Sequence, residues 1–286
     1  MAFGKRIRTF FDGKWHEGDI PVMRAADHGI WQGSSVFDGA RWFDGVAPDL
    51  DRHCARVNRS AEALMITPSV DPGEMEEIIR DGLKAFPDDA VYIRPMYWAI
   101  DGTELGVEPK RGITGFAVCL ESVAMPPAEA TLTLCRTRFR RPVLEDAVCN
   151  AKAGCLYPNN ARMLVEAKSQ GFGNALVADA MGNVAETATS NIFMVRDGVV
   201  FTPIPNGTFL AGITRARHIA NLRAAGVEVV ETVLTFDDFR AADEVFTTGN
   251  LSKIVPVTAF EDVTYQVGPL ARKARALYWD WAHSLA

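Results

Sequence analysis

Two adjacent prolines, Pro126 and Pro127, stand in the stretch Val123-Ala124-Met125-Pro126-Pro127-Ala128-Glu129-Ala130. Proline has no backbone N–H and a fixed φ, so neither a helix nor a central strand runs through the pair. The chain is therefore expected to fold as two regions joined at this point. The boundaries read as 1–122 for a small N-terminal α/β domain, 123–131 for the linker and 132–286 for a large C-terminal domain. A length of 286 residues agrees with two domains, at about 100–200 residues each.

Composition excludes several function classes. Hydrophobic residues at 48% supply a core without disulfides or a structural metal. Lys plus Arg total 30 against 36 Asp plus Glu, a net charge of -6, which argues against a nucleic-acid binder working by phosphate neutralisation. No apolar run reaches the roughly 18 residues of a membrane span, and the first residues, MAFGKRIRTFFDGKW, lack the apolar core of a signal peptide. Cys54, Cys119, Cys135, Cys149 and Cys155 form no CxxC pair and are odd in number, so they read as reduced, mostly buried thiols of a cytoplasmic protein. The five histidines form no HxH, HExxH or Cys/His cluster, so no metal is expected, and GxGxxG, GxxxxGK[ST] and GxSxG are all missing.

Strands and helices alternate without a regular βαβ rhythm, giving a mixed α/β and α+β class. Asp12-Gly13 predicts a hairpin turn, Val36 to Phe43 a strand, and Asp44-Gly45 a second turn. Asp51 is expected to cap a helix with Cys54, Val57, Ala61 and Leu64 on one face, and Asp71-Pro72 opens a second with Met75, Ile78, Ile79 and Leu83 inward. Val91 to Ala99 and Phe116 to Leu120 read as strands. In the second half, Asn159 to Gln170 is helical with Gly171 closing it, Asn191 to Thr202 is a hairpin turning at Asp197-Gly198, Thr214 to Ala225 is helical, and Glu244 to Thr247 is a strand. Pro269 to Ser284 is a terminal amphipathic helix with Leu270, Ala274, Leu277, Tyr278 and Trp281 on its apolar side.

Four places could carry chemistry. Lys152 is the only charged residue between Asp146 and Arg162. Small, apolar neighbours can desolvate a lysine and free its amine as a nucleophile, although a lysine with a buried stem and a solvated ammonium fits the window as well. Glu186 sits in a small, hydroxyl-rich loop before the strand Ile192-Phe193-Met194-Val195, where a glutamate is either a ligand or simply solvated. Leu210-Ala211-Gly212-Ile213-Thr214-Arg215 opens a helix, where free amides and a hydroxyl make a phosphate seat or an ordinary capped end. Thr247-Thr248-Gly249-Asn250-Leu251-Ser252 is a turn that could also offer amides to an anion.

Taken together, Glu186 to Phe193, Val200-Phe201-Thr202 and Leu210 to Arg215 resemble the signature of the class IV aminotransferases, fold-type IV enzymes that use pyridoxal phosphate. Lys152 stands 34 residues before Glu186, where that family carries its Schiff-base lysine. Val36-Phe37-Asp38-Gly39-Ala40-Arg41, Arg56, Tyr92-Ile93-Arg94-Pro95 and Glu244 to Gly249 extend the resemblance over essentially the whole chain, closest to the branched-chain amino-acid aminotransferases.

The resemblance implies a two-domain, D-amino-acid-aminotransferase-like fold with the cofactor between the domains and bound mainly by the large one. It implies that Lys152 holds pyridoxal 5'-phosphate and then moves the substrate proton, and that Glu186 faces the pyridine nitrogen. Tyr157 would bond the phenolic oxygen, Leu210 would pack on the ring, and Arg56, Ile213, Thr214 and Asn250 would hold the phosphate; relatives often carry threonine where Asn250 stands. Ser190 and Asn191 complete the cofactor set. Phe37 and Gly39 would shape the substrate pocket, Tyr92 and the turn amides at Leu251 would hold the α-carboxylate, and Arg94, with Arg41, would meet the second carboxylate of glutamate or 2-oxoglutarate. Gln32 stands where branched-chain enzymes usually have a tyrosine, which leaves the side-chain preference open. Leu105-Gly106-Val107 would reach a partner's active site, implying a homodimer. The partners are a small amino donor and a 2-oxo acid, with neither nucleic acid nor membrane. An (R)-selective amine transaminase, a D-amino-acid aminotransferase and an aminodeoxychorismate-type lyase share the same machinery and stay open as alternatives, as does a metabolite-binding relative without catalysis.

Overall fold

The computed structural model describes residues 4–285. The chain divides into two compact units: one contains the chain up to Met125 together with Ala151–Cys155, the other Pro126–Asn150 and Leu156–Ser284. Pro126, the first of the two prolines, opens the second unit. The return of Ala151–Cys155 to the first unit, where Ala153 makes an antiparallel bridge to Val36, has no counterpart in the sequence reading.

The first unit is built on a sheet of six strands. Strand β1 (Ile7–Phe11) and β2 (Lys14–Glu17) form the expected hairpin, with Asp12 and Gly13 both in the left-handed region at φ 50 and 74. A short helix α1 (His28–Trp31) precedes β3 (Ser35–Phe37) and β4 (Ala40–Trp42). The single strand expected from Val36 to Phe43 is thus interrupted at Asp38-Gly39, because the Asp38 carboxylate turns into the interior toward His53 and Arg56. Helix α2 (Leu50–Ala63) begins after Asp49, which takes a left-handed φ of 56, so Asp51 lies in its first turn and is not its cap. Cys54, Val57, Ala61 and Leu64 are buried as expected. Asp71 caps α3 (Pro72–Leu83) by accepting from the Gly73 amide at 2.8 Å. Long strands β5 (Val91–Ala99) and β6 (Thr114–Ser122) complete the sheet, in the order β2-β1-β6-β5-β3, with β4 also on β5.

The second unit holds a nine-stranded mixed sheet, ordered β12-β11-β10-β13-β14-β7-β8-β9, with β15 beside β14. Its elements are β7 (Leu132–Arg140), α4 (Tyr157–Ser169), β8 (Asn174–Ala178), β9 (Val184–Thr187), β10 (Asn191–Arg196), β11 (Val199–Pro203), α5 (Ile213–Ala224), β12 (Val229–Thr232), α6 (Phe236–Arg240), β13 (Glu244–Gly249), β14 (Lys253–Phe260), β15 (Val263–Thr264) and α7 (Pro269–His283). Both faces are covered. On β10, Ile192 and Met194 enter the core that includes Phe239 of α6, while Phe193 and Val195 enter the core shared with α5 and α7. Two-sided burial explains why β10 reads as an unbroken apolar run. Helix α7 buries Ala271, Ala274, Tyr278 and Ala282, so its seam is rotated from the expected one, leaving Leu270 and Leu277 at the flanks. Glu186 lies within β9, paired opposite Val177, and not in a loop.

All five cysteines are free, four of them buried and Cys155 exposed. Among the described residues no helix is long and apolar enough to cross a membrane, and no group of three or more His, Cys, Asp or Glu is placed to hold a metal.

Candidate active site

In the first unit, Lys152 is fixed by its backbone. Its amide donates to Ser60 Oγ at 3.1 Å, and its carbonyl accepts from the Phe37 amide at 3.1 Å. The side chain then lies over the Phe37 ring, with Nζ 4.7 Å from the centroid. An aromatic face attracts the ammonium but offers it no acceptor.

Residues directly opposite in antiparallel strands share a face of the sheet. Phe37 is opposite Met96, and Arg41 is opposite Tyr92. Tyr92, Arg94 and Met96 alternate along β5, so Phe37, Arg41, Tyr92 and Arg94 all belong to one face. Arg41 is wholly buried. One of its nitrogens donates to the Val123 carbonyl at 2.6 Å, while Nε and Nη1 have no hydrogen-bond partner among the described residues. Burial lowers its pKa to about 10. Arg94 stacks over Tyr92 and forms an ion pair with the buried Glu121 at 2.7 Å. Gly39 is buried beside this face, and Gln32 is exposed at the end of α1.

Arg56 is gripped by Asp38, through Nε at 2.6 Å and Nη2 at 2.8 Å. His53 Nδ1 meets the same carboxylate at 2.7 Å. Burial pushes the Asp38 carboxyl up, but the Arg56 and His53 charges outweigh it and hold the group well below the usual carboxylate range.

In the second unit, Glu186 is almost completely buried. Oε1 is 3.1 Å from Arg141 Nη2, and Oε2 accepts from Asn191 Nδ2 at 3.2 Å. Asn191 Nδ2 also reaches the Leu210 carbonyl at 3.1 Å, and Asn191 Oδ1 lies so close to Gly212 that any β-carbon there would collide with it. Ser190 Oγ bonds Thr187 Oγ1 at 2.9 Å, and a β-carbon on Gly249 would press on Ser190. Thr248 pairs with Asn191 across β10 and β13. The start of β10, the end of β13 and the start of α5 therefore converge. Helix α5 begins at Gly212 with no capping side chain, so its first amides are available as donors, and both Ile213 and Thr214 are buried there. Thr248 Oγ1 and Asn250 Nδ2 are buried without a hydrogen-bond partner among the described residues. Leu251 is about half exposed in the turn after them, and Tyr157 opens α4 partly exposed.

Sequence reasoning did not single out Arg141, His53, Lys253 or the Asp38 carboxylate. Asp38 and His53 lie in the motif-bearing segments around Phe37 and Arg56, His53 and Arg56 being an i, i+3 pair on one helix face. Arg141 has no local signal, since its partners, Asn160, Thr187 and Ala188 besides Glu186, are all distant in the chain.

The amino-transferase class IV family matches residues 35–260, and the chain belongs to that family. A branched-chain-amino-acid aminotransferase of Salmonella typhimurium is 29% identical over 297 aligned residues, covering 98% of this chain and 94% of that protein. The crystal structure of an aminotransferase from Brucella abortus bound to PLP superposes with a TM-score of 0.96 at 56% identity, covering 98% of this chain and all of that one. The branched-chain aminotransferase of Escherichia coli superposes with a TM-score of 0.88 at 27% identity over 97% of this chain and 95% of its own.

Proposed function

We propose that the protein is a pyridoxal-phosphate enzyme that passes the amino group of a branched-chain L-amino acid to 2-oxoglutarate. The observation that carries this is the pairing, within one unit, of an anion seat with a buried and doubly held carboxylate. The seat consists of the α5 amides with the orphaned Thr248 Oγ1 and Asn250 Nδ2; the carboxylate is Glu186. These donors fit a phosphate, and the carboxylate fits a basic ring nitrogen.

When bound, pyridoxal phosphate supplies an aldehyde that takes amines covalently and a ring that accepts electrons. Lys152 would hold the aldehyde carbon at Nζ and, once the substrate amine has taken its place there, would carry the α-proton on the freed Nζ. Glu186 keeps a proton on the ring nitrogen. Ile213, Thr214 and Asn250 would bind the phosphate, and Arg56, its guanidinium plane set by Asp38, belongs to the same set of residues. Tyr157 would bond the phenolic oxygen, Leu210 would pack on the ring, and Ser190, held by Thr187, completes the set with Asn191. Phe37 is the apolar wall for the side chain and Gly39 leaves space beside it, with Gln32 adding an amide. Tyr92 and the turn at Leu251 orient the α-carboxylate, and Arg94 with Arg41 meets the second carboxylate of 2-oxoglutarate. The apolar wall, and the names of the relatives, support the branched-chain assignment. The unpaired cysteines support a reducing, cytoplasmic setting. The exposed loop around Leu105 supports a homodimer with shared sites.

One observation favours a second reading. The Arg94–Glu121 ion pair already neutralises the arginine expected to take a second carboxylate. That suits an amine transaminase, whose amino donor has no carboxylate.

A half-transamination panel on the cofactor-loaded protein separates the readings. L-leucine and L-valine should convert well; conversion of (R)-1-phenylethylamine or D-alanine with little reaction of leucine would replace the branched-chain assignment. Borohydride reduction and peptide mapping should put the pyridoxyl group on Lys152, and a label on Lys84, Lys168 or Lys253 overturns that role.

A further inference from the structure

Lysines are almost never fully buried. Lys253 is 0% exposed, at the point where the turn after β13 enters β14. Its Nζ donates to Asn250 Oδ1 at 2.8 Å and lies 5.8 Å from the Tyr278 ring centroid. Its carbonyl accepts from His218 Nε2 at 3.1 Å. His218 sits one turn along α5 from Thr214, so this bond ties the Asn250 turn to the helix whose amides form the anion seat. Burial holds the His218 pKa down at about 4, so the ring is neutral at neutral pH, and the carbonyl, which can only accept, fixes its proton on Nε2.

An asparagine amide can present either its oxygen or its nitrogen to a neighbour. An ammonium only donates. Once Lys253 occupies Asn250 Oδ1, the other end of the amide is fixed as Nδ2, the buried donor without a partner. With the amide reversed, Lys253 would face an NH₂ group, and an oxygen would face the anion.

We infer that Lys253 is a positioning residue of the phosphate seat: it fixes the Asn250 amide so that Nδ2 points at the cofactor phosphate. The inference rests on the reading of that seat given under the proposed function. Lys253 itself does not touch the phosphate; its effect passes through Asn250.

The test uses the full chain stripped of cofactor, with inorganic phosphate and pyridoxal phosphate as probes. Phosphate affinity is read from the rise of the melting temperature with phosphate concentration, since a ligand of the native state stabilises it in proportion to ln(1 + [L]/Kd). Cofactor affinity is read by equilibrium titration. Lys253→Met and Asn250→Ala should each weaken both affinities about ten- to a hundred-fold, the range for a lost charge-assisted hydrogen bond. The double variant should be no weaker than the worse single one, because the two act through one contact. Additive losses overturn the inference. So does Lys253→Met with unchanged phosphate affinity while Thr214→Val has lost it. Phosphate affinity unmoved by Thr214→Val overturns the seat itself, a separate failure. Should Lys253→Met not fold, Asn250→Asp keeps the bond to the ammonium but replaces the donor by an acceptor. Its phosphate affinity should then collapse with the phosphate-free melting temperature unchanged, and retained affinity overturns the inference.

Discussion

Glu186 is a carboxylate in a strand whose four residues are all buried, and it is tolerated there because Arg141 and Asn191 engage both oxygens. A carboxylate so held can keep a ring nitrogen protonated; an amide cannot. Glu186→Gln should therefore retain cofactor and lose about 10²-fold or more in the rate of transamination, as for other single electrostatic contacts to a reacting centre. Stopped-flow spectra of the half-reaction check this, and a variant as fast as the parent removes Glu186 from the ring nitrogen. The sequence motif made Glu186 legible but not the strand around it, and Arg141 not at all, because a buried ion pair between residues 45 apart leaves no local pattern. His218 was invisible for the same reason. Its pKa is depressed by burial from 6.5 to about 4, so the unfolded chain takes up a proton that the folded one refuses. Stability contributed by neutral His218 is complete above about pH 6.5 and is lost as the pH falls toward about 4, on the order of 3 kcal/mol across that window. Urea denaturation through that range should show the loss, and His218→Gln should flatten it; an equal slope in the variant assigns the acid sensitivity elsewhere.

Elements with strong local chemistry were legible. The Asp12-Gly13, Asp44-Gly45 and Asp197-Gly198 turns all take the left-handed conformations their residues favour, and Asp71-Pro72 opens α3 as expected. What failed was set by a contact distant in sequence at Asp38 and by a local backbone conformation at Asp49. Asp38 breaks one expected strand into two because Arg56 and His53 draw it inward, and Asp51 loses the cap of α2 to the left-handed Asp49. The start of α5 is an element-scale feature with a sharp test. Gly212 has an ordinary φ of -69, so the glycine is needed there for space and not for conformation. A methyl group would displace the Asn191 side chain and with it the bonds to Glu186 and the Leu210 carbonyl. Gly212→Ala should cost about 1–3 kcal/mol of stability, as other overpacking changes do. It should also weaken cofactor binding, measured by titrating the stripped protein. An alanine variant with parental melting temperature and affinity would show that Asn191 can move without consequence.

At the scale of the whole molecule, no sequence pattern showed that Ala151–Cys155 belongs with the chain up to Met125, since a single bridge between Ala153 and Val36 is a non-local event. That placement sets Lys152 beside Phe37, so the aromatic ring and the amine form one cluster. The same unit displays an apolar surface that a solitary protomer has little reason to keep. Leu105 is 90% exposed and Val107 70%, in a loop turned by Gly106 at a φ of 72, and Ile30 and Trp31 of α1 are more than half exposed. The Trp31 ring stands 3.7 Å from where a Gly106 β-carbon would lie, which joins loop and helix into one patch. Contiguous exposed apolar side chains mark interaction sites, and a second copy of the chain is the partner we propose. Burying one large apolar side chain contributes about 1.5–3 kcal/mol, so two carboxylates in its place oppose association strongly. Leu105→Asp with Val107→Asp should raise the dimer dissociation constant by about 10²-fold or more in sedimentation experiments. The melting temperature of the dissociated chain should change little, because these side chains make few contacts within their own protomer. If the loop also completes a neighbouring active site, transamination should fall in step with the dimer fraction and recover at high protein concentration. A variant that stays dimeric at every concentration places the interface elsewhere, and one that is monomeric yet fully active removes the loop from the active site.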